Sequence, residues 1–538
     1  AAAEGADSSQ PAAASEAKEK GIVLPKGKLV KSLSDGNWSN PKTWAGGKVP
    51  AIGDQVLIRE GHQVVYDVTS DDVIRSLHIS GTLTFAHDKD TLLHVGLIRI
   101  EAGDKVVEEG FDCDHVPNAK KLASVAKDGG QPGFSAICVC CESKAALLVG
   151  TPEQPIDADH AATIRLHFVR GMDPKSMPAI VCCGGRMDFH GALMNRTWVK
   201  LASNIIPRDG QVTKIRLDQP VSGWRVGDEI IVTGTVRANV RHTNDRFRYN
   251  TEKRKIKAID SDRLTVDRPF ERDHVGEGDY RAEVANLSRN VIVESADPNG
   301  VRGHTMYHIG SAGSISYAEF RHLGKKDELG RYSIHFHLVG DTMRGSSVIG
   351  ASIHDSHNRW ITVHGTQYLV VRDCVGYKSI GHGFFLEDGT EVYNTFDRNL
   401  ACQAVRGNPL PKQVLPFDPN DGAGFWWANS LNTFTRNVGV ECETYGFRFQ
   451  ATPKAGVSDR KNKVEYGDVR SSFDLTMPIR QPDGSKQSVD IRTLPFVRFE
   501  DNESHSNARW GLNLGQGNGG VGPNASTPFV IRNMKIWQ

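Results

Sequence analysis

The sequence predicts an all-β fold, an N-terminal β-rich domain leading into a right-handed parallel β-helix. Three observations carry that expectation. Short Val/Ile runs alternate with glycine-bearing turns along most of the chain, and no stretch shows the 3.6-residue apolar period of a helix. A loose strand-and-turn repeat sets in near residue 286, with strand-ending glycines at Gly340, Gly365 and Gly389, 25 and 24 residues apart. An Arg-Asn pair followed by an apolar residue recurs in "SRNVIV", "DRNLAC", "TRNVGV" and "IRNMKI". A period of this kind marks a solenoid whose coils stack parallel strands, with Asn side chains laddering at the turns. An antiparallel propeller fits less well, because the two-residue hairpin turns it needs are scarce.

The first segment, "AAAEGADSSQPAAASEAKEKG", has no aromatic residue and no hydrophobic block, and residues 1–27 read as a disordered leader or linker. A start in small residues also fits the product of signal-peptide cleavage, so the expected location is secreted, periplasmic or cell-surface. Residues 28–150 form the first β domain: "GDQVLIREGHQVVYD", "IRSLHISGTLTFA" and "LLHVGLIRIEAG" place apolar residues at every second position between glycines. Trp38 and Trp44, in "DGNWSNPKTWAGGKVPAIGD", could stack on a sugar, but are read as capping one end of the β structure. "KKLASVAKDGGQPGF" is a surface excursion. Residues 151–285 are a connecting β region. Within it "VRANVRHTNDRFRYNTEKRKI" is the most basic part, read as an exposed face, with a grip on an acidic polymer as the alternative. Residues 286–538 are the β-helix that carries the site. The chain ends in a strand signal, "FVIRNMKIWQ", whose open edge calls for a further segment or a partner subunit.

With 538 residues, a formal net charge of +1 and no long basic run, the chain lacks the footprint of a nucleic-acid partner. No apolar stretch approaches the ~18 residues of a membrane helix. Five of the nine cysteines cluster: Cys138, Cys140 and Cys141 in "ICVCCES", Cys182 and Cys183 in "VCCGG". Zinc-ribbon spacing is absent, so they are expected to be small buried side chains plus one or two disulfides, with a soft-metal or redox site as the alternative.

The chemistry is concentrated in three blocks. In "RYSIHFHLVGD" strand alternation sends Ile334, Phe336 and Leu338 to one face and His335 and His337 to the other, with Asp341 just beyond. One coil later "RWITVHGTQ" repeats the pattern, with Ile361 and Val363 inward and Thr362 and His364 outward. The next coil, "GHGFFLEDGTE", brings His382, Glu387 and Asp388, though Phe384–Phe385–Leu386 leaves open which acid faces out. Strands about 4.8 Å apart would collect these groups on one outer wall. Imidazoles with a carboxylate suit a divalent Zn, Cu, Ni or Fe ion better than Ca, which prefers oxygens. The alternatives are metal-free acid–base chemistry and a solvated imidazole ladder that merely stacks. His354 and His357 are balanced between function and structure, and His308 leans to structure. Arg331, Arg359 and Lys378 flank the wall, where arginines could grip carboxylates; Trp426 and Trp427, in "GAGFWWANS", could stack on sugars.

These blocks carry a resemblance. "NWSNPKTWAGGKVPAIGDQVLI" and "IRSLHISGTLTF" resemble the domain named for its eight glycines. "LSRNVIV", "GRYSIHFHLVGD", "SIHDSHNRWITVHGTQ" and "GHGFFLEDGTE" with Asn394 are similar to the β-helix that follows it in a family of hyaluronidase-like and hyaluronan-binding proteins with bacterial relatives. The resemblance implies an extracellular β-helix protein that depolymerises hyaluronan or another uronate-bearing glycan with a divalent ion. It points to His335, His337, Asp341, His364, His382, Glu387 and Asp388 as site residues. One departure is Gly324–Lys325, where relatives have glycine–glutamine. The leading expectation is a secreted, metal-assisted polysaccharide-degrading enzyme. Its metal would be held by His335, His337 and His364, its acid or base would be Asp388 or Glu387 with His382 and Asp341 assisting, and Arg331, Arg359, Trp426 and Trp427 would hold substrate. A raised pKa beside Phe385 would suit the acid. Competing readings are a polysaccharide lyase on the same wall, a non-catalytic glycan-binding or adhesive solenoid, and a histidine/cysteine redox metalloprotein.

Overall fold

The computed structural model describes residues 21–110, 145–207, 211–415, 417–451, 458–459, 464–465, 475–515 and 528–538. Three long sheets, every pairing within them parallel, run side by side along the molecule. The first has 12 strands, from Leu29–Lys31 to Trp510–Asn513. The second has 11, from Gly36–Asn37 to Arg498–Glu500. The third has 11, from Thr69–Ile74 to Lys535–Trp537. Successive strands of the chain visit the three sheets in turn, which makes the molecule a three-sided parallel β-helix.

The interior is built by stacking like on like. In the first sheet Ile334 registers with Ile361, Ile361 with Phe384, and Phe384 with Phe425, all fully buried. Tyr307 stacks on Phe336 at 4.8 Å, and Phe425 on both Phe384 and Phe447 at 5.0 and 4.7 Å. Full burial of each such ring stabilises by about 1.5–3 kcal/mol before the cost of ordering it. Two of the recurring Arg-Asn pairs, Arg398–Asn399 and Arg436–Asn437, form the same turn in successive coils. Arg398 and Arg436 take left-handed backbone (φ 57° and 56°), and the Asn399 and Asn437 amides donate from backbone N to the Asn437 and Asn502 Oδ1 atoms at 3.0 Å. The expected ladder is present.

The division of the chain differs from the sequence expectation. The eight-glycine region is not a separate unit ahead of the helix: its strands are the first coils, and their apolar residues continue the same core. Strand Ala146–Val149 pairs with Thr82–Phe85, so the coils before and after residues 111–144 stack directly on one another. Of residues 151–285, strands Ala162–Leu166, Ala179–Cys183 and Arg186–His190 are also coils. What intervenes is an antiparallel six-stranded sheet between Trp198 and Asn286, with its own core. Trp198, Ile231, Ala285 and Leu287 of that insert pack on Val375, Tyr377, Leu400 and Cys402, covering the outer face of the third sheet. Trp38 and Trp44 are buried edge-to-face at 4.9 Å inside the first coils, so they cap rather than present themselves. The final strand, Lys535–Trp537, pairs with Glu503–His505, and Trp537 stacks on His505 at 4.0 Å.

The five cysteines among the described residues, Cys182 and Cys183 included, are buried, and no disulfide joins any two of them. Cys138, Cys140 and Cys141 lie outside the described residues.

Candidate functional site

Three adjacent strands of the first sheet, Ile334–Gly340, Ile361–Thr366 and Phe384–Leu386, place the predicted groups side by side. Because Val363 registers with Leu386 and both are interior, the next position of each strand, His364 and Glu387, falls on the outer side. His337 registers with His364. The ambiguity over the acids is resolved by that register: Glu387 joins the imidazoles and Phe385 points outward with it. Alternation ends early on the first strand. Leu338 takes φ 53°, the pairing shifts between His337 and Gly340, and Leu338 is half-buried rather than interior.

One ligand atom from each of His335, His337 and His364 lies within 4.8 Å of the others. His364 Nδ1 is 3.1 Å from His337 Nδ1 and 3.5 Å from Glu387 Oε2, and His335 Nε2 is 3.6 Å from the same Oε2. His335 Nδ1–H donates to the Gly330 carbonyl at 3.0 Å, which leaves the Nε2 lone pair facing the carboxylate. His335 Nε2 and Glu387 Oε2 are both buried without a hydrogen-bond partner. A buried pair of orphaned acceptors is costly unless a cation or proton lies between them. Three imidazole nitrogens and one carboxylate oxygen make a donor set that can hold a divalent transition ion.

The surroundings fix these groups. Asp388 Oδ2 faces His364 Nε2 at 3.3 Å, and its Oδ1 accepts from Thr390 N and Oγ1 at 2.7 and 2.6 Å. A carboxylate behind an imidazole sets its tautomer and raises its basicity. Glu387 Oε1 accepts from Tyr332 Oη at 2.8 Å and from the Arg359 guanidinium at 3.4 Å. Burial would push the Glu387 carboxyl up, but His364, His335 and Arg359 outweigh it and hold the group well below the usual carboxylate range. Asp388 is likewise held low against burial, chiefly by His364. Burial lowers His335, with Glu387 in partial opposition; at His364 the Glu387 and Asp388 carboxylates prevail over burial and raise it.

Several predicted roles change. The expected acid with a raised pKa beside Phe385 is neither Glu387 nor Asp388, because the charges beside them, His364 above all, outweigh their burial; the outward Phe385 ring itself lies under the Arg359 guanidinium at 3.5 Å. The carboxyl driven up is Glu391, fully buried, pushed by burial and by the Asp388 charge, and accepting from Gly365, Asp388 and Gly389 N–H groups. His382 is no member of the cluster: it bridges Asp418 Oδ1 at 2.7 Å and the Ala423 N–H at 3.0 Å, with its ring beside Phe385 and Trp426 at 5.3 and 5.7 Å. Asp341 is tied to Arg480 at 2.6 Å. Arg359 is wholly buried between Asp418, at 2.9 Å, and Tyr332, so no substrate carboxylate reaches it. Arg331 is 7% exposed and donates to the Lys175 carbonyl at 3.1 Å. Trp426 and Trp427 are both 0% exposed: Trp426 stacks on Phe385, and Trp427 faces the interior against Phe434. Neither offers a ring to a sugar. His354 belongs to the third sheet, clasped by Asp355 and Glu319 at 2.8 and 3.1 Å.

Sequence reasoning missed Tyr332, Asp418 and Glu391. Tyr332 adjoins the histidine strand and could have been flagged; Asp418 arrives from a loop that no period announces. The wall is also less open than expected, with His335 and His337 buried and His364, 9% exposed, the least covered of the three.

Fold and cluster together define a class, a three-sided parallel β-helix with a histidine–carboxylate cluster on one outer face. Residues 43–202 match the G8 domain and residues 300–512 match the CEMIP beta-helix, and the chain belongs to the family that joins these two units. Mouse Fibrocystin-L is 25% identical over 579 residues, covering 96% of this chain and 12% of that protein. The human cell migration-inducing and hyaluronan-binding protein is 28% identical over 354 residues, covering 57% and 24%. The zebrafish (Danio rerio) cell surface hyaluronidase is 33% identical over 235 residues, covering 38% and 16%. The chain thus spans 12% to 24% of the length of these relatives. Among solved structures, a periplasmic alginate epimerase is 10% identical with a TM-score of 0.20, covering 98% of this chain and 89% of that one. A tailspike protein from Pseudomonas phage LKA1 is 11% identical with a TM-score of 0.18, covering 73% and 69%. The fold rests on the strand register, independently of both. No helix among the described residues is long and apolar enough to cross a membrane.

Proposed function

We propose that the cluster is the centre of a metal-assisted, glycan-cleaving enzyme that works outside the cytoplasm on a uronate-bearing polysaccharide, in the manner of its hyaluronidase-named relatives. One observation carries the reading: the convergence of His335 Nε2 and Glu387 Oε2, both buried and unpartnered, with His337 and His364. His335, His337, His364 and Glu387 would hold the ion. When bound, a divalent cation supplies Lewis-acid chemistry, polarising a substrate oxygen or acidifying a water.

The chain's own residues do the rest. Asp388 holds the His364 Nε2 proton and keeps the Nδ1 lone pair aimed at the cluster. Tyr332 and Arg359 neutralise and orient the outer oxygen of Glu387, leaving the other for the centre. Asp418 holds Arg359 and His382, so the second layer is itself anchored. His364, the least covered of the three histidines, marks the side from which substrate would reach the centre.

The test is product chemistry with hyaluronan, polygalacturonate and alginate, run on wild type and on His364→Ala. Hydrolysis yields a saturated reducing end; elimination yields an unsaturated, ultraviolet-absorbing one, which would assign a lyase. Polymer binding without turnover by metal-loaded wild type would defeat the enzyme reading and leave an adhesive solenoid. Burial pushes the described thiols Cys182, Cys374 and Cys442 up to about 12, so these three remain protonated at neutral pH.

A further inference from the structure

The basic segment that the cluster does not use borders a groove on a different face of the solenoid. There the insert's single-turn helix, Asp245–Arg248, stands over third-sheet strands Ser352–Ser356, Val375–Ile380 and Leu400–Val405. Two adjoining cavities of 270 and 290 Å³ open along this margin and share Asp245, Tyr249, Lys378 and Gln403. Together they reach the ~300–1,000 Å³ scale of small-ligand sites. Seven Arg or Lys and four Asp or Glu line them, an excess of positive charge in a chain that is otherwise nearly neutral.

Two features point to a ligand. Tyr249 and Gln403 are 6% and 1% exposed, and Tyr249 Oη and Gln403 Oε1 have no hydrogen-bond partner in the protein, nor does Arg248 Nε. These are a hydroxyl donor, a carbonyl acceptor and a guanidinium donor left unpaired in one place. Lys378 meets the facing wall through an ion pair with Asp245 at 3.7 Å, with side chains 39% and 67% exposed, a contact weak enough to yield to a ligand. The floor is a column of left-handed non-glycine residues, Asp355, Lys378 and Gln403 (φ 51°, 56° and 63°), one per coil. The same bend recurs in that column at His322, Glu441 and Ser506 (φ 55°, 50° and 55°), so it is the solenoid's own turn and sets the spacing of the lining side chains.

We propose that this groove is a second carbohydrate site, which binds a uronate segment of an acidic glycan away from the histidine cluster. Lys378 pairs with a sugar carboxylate, Tyr249 donates to a ring or carboxylate oxygen, and Gln403 accepts from a sugar hydroxyl. The site stands whether or not the histidine cluster is catalytic. It would anchor a long chain while a different face acts on it.

The test is calorimetric titration of His364→Ala protein with octasaccharides of hyaluronan, polygalacturonate and alginate, each beside its carboxyl-reduced counterpart. At least one uronate form should bind and its neutral counterpart should not. Lys378→Ala and Tyr249→Phe, each added to that protein, should weaken binding about tenfold, the worth of one charge-assisted hydrogen bond. Affinity should fall as salt rises. Exposed Arg268→Ala, on the rim, should weaken it less and serves as a variant with little folding risk. The proposal is overturned if no uronate form binds, if carboxyl reduction makes no difference, or if Lys378→Ala and Tyr249→Phe, folded by circular dichroism, bind as their parent does.

Discussion

Replacing Tyr332 with Phe removes one oxygen from the layer behind the cluster and changes nothing else in the ring's shape. In the native arrangement that oxygen donates to Glu387 Oε1 at 2.8 Å and accepts from Arg359 at 3.0 Å. A hydrogen bond to a charged, buried carboxylate contributes about 1.5–3 kcal/mol. If that energy holds Glu387 in the orientation that offers Oε2 to the ion, its loss weakens metal binding by roughly 10- to 100-fold, the usual range for a partner behind a ligand. The assay is metal affinity by competition with a chromophoric chelator, with thermal denaturation of the metal-free protein alongside. Tyr332→Phe should bind the ion at least tenfold more weakly. Affinity within twofold of wild type would refute the claim that Tyr332 positions a metal ligand, whatever happened to stability.

Other outcomes follow from the same contacts. Asp388→Asn keeps the shape but removes the charge behind His364, so turnover should fall by an order of magnitude or more while the fold, read by circular dichroism, persists. Trp427→Ala should destabilise by about 3–5 kcal/mol, since it empties a ring-sized volume in the interior; a loss of glycan affinity with unchanged stability would contradict the interior assignment. His354 is raised to about 9: burial opposes the shift, but Asp355 and Glu319 outweigh it. Its folded pKa lies above the unfolded value near 6.5, so its stabilisation is complete below pH 6.5 and is lost as pH rises through 9, by about 3 kcal/mol. Denaturation between pH 6.5 and 9.5 should therefore weaken wild type more than His354→Gln. Cys182 and Cys374 should resist alkylation at pH 8 until the protein is unfolded.

Much of the solenoid was legible because its signals are local. Alternation in "IHFH" and "ITVH" sorts inside from outside, and the Arg-Asn turns recur where the chain leaves one sheet for the next. The same logic assembled His335, His337 and His364 correctly. It failed where alternation broke, at Leu338, and where cover came from far along the chain. Arg359 looks like a surface cation by type. It is buried because Asp418 folds back over it from a loop without a repeat. Trp426 and Trp427 are consecutive, so one had to face inward, and the other is roofed by Gln450 and the Phe385 stack. Glu391 was invisible as a high-pKa carboxyl because its state is set by full burial and by the Asp388 charge turned towards it, and neither is announced by residue type. The eight-glycine region reads as a unit of its own in sequence, while its strands stack as coils on those that follow without a break.

The central claim is that the four converging donors hold a metal ion, and elemental analysis tests it most directly. Protein purified without chelator and reloaded with Zn, Cu, Ni, Fe, Mn or Ca should retain one equivalent of a transition ion after dialysis, and His335→Ala and His364→Ala, folded by circular dichroism, should not. Wild type that keeps no metal, or variants that keep as much as wild type, would contradict it.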